Sequence, residues 1–211
     1  MNAQAAMAPV TLHRALPPEE AARAHFYALL ARLLKAPPDG ALLHAIAAAP
    51  GLDGDGSGGL ARAWGELVAA SSVMDADAAA EEHEALFATM GKPVVSVFAG
   101  FYTGATPVAH PRVRVRSDLA ALGLAPRADA TEPEDHFGAL FEAMRVLVEG
   151  GAGRGPATLD EQRRFFESHV RPAAGRFFAA LGDAQPSNYY RKVAALGAAF
   201  VALEAESFSL D

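Results

Sequence analysis

Apolar side chains recur at helical spacing along most of this chain. After Pro17-Pro18-Glu19-Glu20, a helix start with early acids, they fall at Ala22, Phe26, Leu29, Leu30, Leu33 and Leu34, one face of a helix that Pro37-Pro38 ends. A short helix is expected from Asp39 to Ala49, stopped by Pro50-Gly51. The stretch Gly51 to Gly59 reads as a turn-rich linker, and Leu60, Trp64, Leu67 and Val68 mark a third helix. Asp75 is placed to cap a fourth, which carries Glu81-Glu82-His83-Glu84 and then Leu86-Phe87. Residues 91–111, rich in Pro, Gly and aromatics, read as a long structured connection, with a strand conceivable only from Val94 to Phe98. A modest helix through Leu119 and Leu122 is expected to stop at Gly123.

The second half is punctuated more sharply. Thr131-Glu132-Pro133-Glu134 has the form of a capping box, in which the Thr hydroxyl accepts from the third helical N–H and Glu134 reaches back. Pro133 suits a first turn, whose N–H groups have no intrahelical partner. The helix it predicts presents Phe137, Leu140, Phe141, Met144, Leu147 and Val148 on one side and stops at Gly150-Gly151. Thr158-Leu159-Asp160-Glu161 repeats the start signature, followed by Phe165, Phe166, Val170, Phe177, Phe178 and Leu181, with Pro172 expected to bend the helix. A last helix from about Pro186 carries Tyr189, Tyr190, Val193, Leu196, Phe200 and Leu203. The expectation is an all-α fold of seven to eight or more helices, and Ala at about a quarter of the chain agrees with it.

Composition narrows the chemistry. With 51% hydrophobic residues in 211, the chain can bury a full core and is not disordered. The absence of Cys excludes disulfides, iron–sulfur ligation, cysteine nucleophiles and thiolate zinc sites. A net charge of −7 argues against nucleic acid as a partner. Residues 1–18 carry no basic residue before His13 and Arg14 and no uninterrupted apolar core, and no window reaches about 18 apolar residues without a charge, so neither a secretory signal nor membrane insertion is expected and the cytoplasm is the default location.

Candidate motifs divide into empty and informative ones. Gly54-Asp55-Gly56-Ser57-Gly58-Gly59 matches the dinucleotide pattern only formally, because no strand precedes it, and reads as a linker. No His has Glu three residues before it, which argues against a carboxylate-bridged dimetal bundle, and no metal or cofactor is expected. The informative cluster is Glu132-Pro133-Glu134-Asp135-His136. On a helix, Glu132, Asp135 and His136 would share a face at i, i+3 and i+4. Acids at a helix start complement its dipole without any function. The same carboxylates also suit a guanidinium, with His136 tuning the local charge.

Three blocks resemble the TorD/DmsD/NarJ-type chaperones, which assist maturation of twin-arginine-exported molybdoenzymes. Glu84-Ala85-Leu86-Phe87 and then Pro93 through Gly104 are similar to the family's E-x-x-x-L-F and P-x-x-S-P-Y-x-S-x-Y-x-G stretches. Glu132 to His136, with Leu140, Glu142 and Met144 following, resembles the E-P-x-D-H-x-x-x-x-L-E-x-M signature. Phe166, His169, Pro172 and Phe177 resemble the later F-x-x-x-H-[IVL]-x-P-W-x-x-x-F pattern. The departures are Val97-Phe98 for Pro-Tyr, Gly100 for Ser, Phe141 before Glu142 and Ala173 for Trp.

The resemblance implies a helical domain over residues 1–123, a hinge and signature over 124–136 and a smaller helical part over 137–211. It implies no catalysis and no resident cofactor. The implied partner is a molybdoenzyme catalytic-subunit precursor, held by its twin-arginine signal peptide until its cofactor is inserted. Carried over, the signal-peptide contacts are Asp135, His136, Glu132, Tyr102 and Phe101, with Phe98 beside them. The hinge is compatible with a homodimer formed by domain swapping. The competing expectation is an all-helical cofactor-binding enzyme or sensor built on His136 and nearby carboxylates.

Overall fold

The computed structural model describes residues 16–52, 58–87, 92–104, 111–125, 132–151 and 153–210, and among them regular structure is helical throughout. The order is α1 Pro18–Lys35, α2 Gly40–Ala47, α3 Gly59–Ser71, α4 Ala76–Phe87, α5 Ala99–Tyr102, α6 Pro111–Ala121, α7 Phe137–Glu149, α8 Leu159–Phe165, a π-helical turn Phe166–Val170, α9 Arg171–Asp183 and α10 Tyr189–Leu210. Several helix starts follow the expected chemistry. The Asp39 carboxylate accepts the Leu42 N–H at 2.8 Å, Asp75 accepts from Asp77 and Ala78, and Thr158 and Glu161 close a reciprocal capping box. Residues 53–57 of the glycine-rich linker lie outside the described residues.

α1 packs along α7, while α10 packs on α9 and α3. One buried cluster runs through these helices, from Ala24 to Phe208. On α1 the buried stripe is Ala24, Tyr27, Leu30, Ala31, Leu33 and Leu34, so the expected face is rotated: Ala22 is exposed and Tyr27 faces inward. Close approach explains Gly138 on α7, where a Cβ would stand 2.6 Å from Lys35 Cγ and 3.1 Å from the Ala31 carbonyl of α1. Aromatic rings fill the centre, with Phe137 stacked on Phe177 at 4.2 Å and Tyr27 edge-on to Phe200 at 4.8 Å.

Two expectations about helix interruption change form. The bend at Pro172 is a π-helical turn just before it, in which the Arg171 N–H reaches back to the Phe166 carbonyl. The wider turn sits beside the residue that has no N–H to donate. α10 is long and apolar enough by length and composition to cross a membrane. Its buried face, however, carries Glu204, whose carboxylate takes the Arg23 guanidinium at 2.8 and 2.9 Å and the Tyr27 hydroxyl at 2.7 Å. That face is the packing face of a core helix against α1.

Candidate functional site

The signature Glu132-Pro133-Glu134-Asp135-His136 does not open a helix. Residues 132–135 form a turn, the His136 N–H donating to the Pro133 carbonyl at 3.0 Å, and α7 begins only at Phe137. The expected i, i+3, i+4 face is therefore absent, and Thr131 of the expected capping box lies outside the described residues. The cap of α7 is His136 itself, whose Nδ1 accepts the Gly138 N–H at 2.9 Å. A histidine caps in this way only with Nδ1 unprotonated. Burial keeps the ring neutral, as this requires, by pushing the imidazole down to about 4 against a smaller opposing pull from Glu132.

The turn is pinned to the aromatic connection. Phe98 and His136 form an isolated antiparallel bridge, with the Phe137 N–H donating to Val97 O and the Ala99 N–H to Asp135 O, both at 2.9 Å. The extended Val94–Phe98 segment is thus half of a bridge rather than a strand, and the first two resembling blocks become neighbours. Phe98 lies edge-on to the His136 ring at 5.7 Å. A short helix, α5, follows at once, and the half-buried Asp135 carboxylate faces its Gly100, where an added Cβ would sit 3.2 Å from Oδ2. Burial pushes the Asp135 carboxyl above the usual range, against N–H donation from its own backbone and Gly100.

The remaining candidates part company. Tyr102 is buried between Phe137 and Phe177, and its hydroxyl donates to the Ser96 carbonyl at 2.8 Å. Arg176 of α9 donates to the Tyr102 carbonyl at 2.9 Å and so fastens α5 to the body. Phe101, the next residue back, is 71% exposed, and Phe98 is partly exposed. Glu134 accepts from Arg112 Nε at 2.8 Å and Arg116 Nε at 2.6 Å, both on α6. These bonds, Arg116 first, hold its carboxyl down to about 2 against the opposing effect of burial.

Glu132 and Glu134 line a groove of about 350 Å3 between the end of α6 and α7. Leu119, Leu124, Ala143 and Val146 provide apolar lining. Glu142 and Arg145, which also line it, are paired with each other at 2.7 Å. A second cleft of about 350 Å3, with Phe165 and Leu122 in its wall, lies on the α8 side of α6. Asp135, Phe98 and Phe101 do not line the groove. Among the described residues no group of three or more His, Asp or Glu is arranged to hold a metal, and the His136 nitrogen that caps α7 is committed to that bond.

Three polar anchors escape sequence reasoning. Glu82, rather than Glu84, is the buried acid of its block, accepting the N–H groups of Asn188, Tyr189 and Tyr190 at 2.8–3.1 Å and closing the start of α10. Glu204 holds Arg23 and Tyr27. His169 meets Asp118 of α6 at 2.7 Å, tying the third resembling block to α6. Two of these had a signal, since His169 belongs to the quoted pattern and the spacing E-x-x-x-L-F counted back from Leu86-Phe87 falls on Glu82, whereas Glu204 reads as an ordinary helix-surface acid.

The described residues thus form a helical scaffold with a groove whose apolar wall is edged by Glu132 and Glu134 and also by Lys35. Residues 54–179 match the family model described as nitrate reductase delta subunit, and the chain belongs to that family. The family consists of maturation chaperones for redox enzymes, which bind a molybdoenzyme subunit and are not catalysts. No curated protein matches the chain.

Proposed function

We propose that this chain is a cytoplasmic chaperone that holds the twin-arginine signal peptide of a molybdoenzyme catalytic-subunit precursor, and keeps the subunit competent for cofactor insertion before export. The carrying observation is the groove between α6 and α7, which sets Glu132 and Glu134 beside an apolar wall. A twin-arginine signal has that composition in reverse: two guanidinium forks and then an apolar run. Charge-assisted hydrogen bonds contribute about 1.5–3 kcal/mol each, while ordering a disordered segment costs about 2–5 kcal/mol or more, so acids alone bind weakly. Burial of the apolar run, at about 25 cal/mol per Å2, has to supply much of a micromolar affinity near −8 kcal/mol.

Within this reading Glu132 contacts the peptide, while Asp135 and His136 position the turn that carries it. Phe98 and Phe101 offer an exposed apolar contact for the rest of the client, and Tyr102 supports them from the core. Titration with peptides differing only in Arg-Arg against Lys-Lys tests the assignment. The wild-type protein should prefer Arg-Arg, because guanidinium forks chelate carboxylates bidentately. Glu132→Gln should lose the preference by contact, and Asp135→Ala through the shape of the turn. Equal binding of both peptides by the wild type removes twin-arginine recognition and leaves the broader maturation role.

A further inference from the structure

α6 is attached to the rest of the molecule in an unusual way. Of its eleven residues only Val115 is buried, and Val113 is 66% exposed. Clefts of about 350 Å3 flank it, one towards α7 and one towards α8. Val115 and Leu119 pack on the core, and the ties at its two ends are polar. Near its start Arg112 and Arg116, one helical turn apart, close on the two oxygens of Glu134. Near its end Asp118 meets His169, and Arg154 donates to the Leu122 carbonyl.

Both Glu134 oxygens are occupied by these guanidinium groups, and the side chain is only 10% exposed. Arg112 and Arg116 are 48% and 60% exposed, and ion pairs of that kind exchange readily for others. The carboxylate that edges the groove is therefore already bound to two guanidinium groups supplied by the protein. A partner guanidinium that takes this carboxylate from the groove competes with both, and where it displaces them α6 loses the tie at its start while Asp118 and Leu122 still hold its end.

We propose that α6 is a latched cover of the groove, in which Arg112 and Arg116 stand on Glu134 in place of the guanidinium groups of a basic and apolar partner segment that opens α6 by competing for that carboxylate. The proposal rests on the peptide-binding reading above and adds its regulation. Binding and opening are then one coupled equilibrium: whatever weakens the internal pairs tightens the peptide.

The test uses the full chain and a synthetic peptide with an Arg-Arg pair followed by an apolar run. Affinity is read by fluorescence anisotropy, and the state of α6 by hydrogen exchange over residues 111–121. The double variant Arg112→Gln/Arg116→Gln, at exposed positions, should fold and bind the peptide about tenfold more tightly, the loss of one competing charge-assisted bond. Saturating peptide should speed exchange of the wild-type α6 amides. Wild-type binding with α6 exchange unchanged or slowed, or a double variant that binds no more tightly than wild type, overturns the latch and leaves peptide binding intact. If neither protein binds, the peptide-binding reading itself fails; if only the double variant binds, the latch is supported in its strongest form.

Discussion

At His136 one ring caps α7 through Nδ1, meets Phe98 edge-on and sits at the end of the bridge to the aromatic connection. All three roles need the neutral imidazole or tolerate it, and burial holds the ring to about 4 against an ordinary 6.5. A depressed histidine contributes stability that is fully present above about 6.5 and is lost as pH falls towards about 4, because unfolding then takes up a proton. The melting temperature should therefore fall across that window. His136→Asn keeps a capping acceptor and should flatten the slope, with His83 and His169, also lowered by burial, supplying what remains. Below it, Glu134 adds a second decline between 4.5 and about 2, which Glu134→Gln removes. Neighbouring positions on α5 separate packing from contact: Phe101→Ser should change stability by less than about 0.5 kcal/mol. Tyr102→Phe should cost about 1 kcal/mol through its bond to Ser96, both read by denaturant titration.

Among the elements, helix existence was legible wherever a period of 3.6 and a start signal coincided, as at Thr158 and Asp39. It was misread where the signal and the fold compete. Glu132-Pro133-Glu134 has the composition of a first turn, yet the backbone of Asp135 and Phe137 is bonded to the 93–104 connection, and a long-range pairing overrides a local preference. The rotation of the α1 face has a similar origin, since Tyr27 is drawn inward by Glu204, a partner 177 residues away. Two glycines on neighbouring helices make the packing testable. At Gly175 of α9 a Cβ meets nothing within 4 Å, so Gly175→Ala should stabilise by up to about 1 kcal/mol. At Gly197 of α10 a Cβ would collide with the Phe178 ring, and Gly197→Ala should cost about 1–3 kcal/mol by chemical denaturation.

Across the whole molecule, α10 is fastened at both ends by acids from elsewhere or for elsewhere: Glu82 of α4 closes its start, and its own Glu204 reaches α1. The Glu204 anchor cannot be read from one sequence, because a buried and an exposed Glu on an Ala-rich helix have the same local pattern, whereas Glu82 falls on the Glu of the E-x-x-x-L-F spacing. Glu82→Ala leaves three backbone donors without their acceptor and Glu204→Ala leaves a part-buried guanidinium short of a partner; each should cost on the order of 3 kcal/mol in thermal or urea melts. The candidate site was legible as residue types but not as an arrangement, since the spacing that suggested a helical face hid a turn whose acids diverge, Glu132 and Glu134 to the groove and Asp135 to α5. That turn is held by reciprocal backbone bonds, one donated by Ala99 and one by Phe137. Neither segment can expose its donor without freeing the other's acceptor, so the two amides belong to a single opening unit and should lose protection with one common free energy, even though they lie 38 residues apart in the chain.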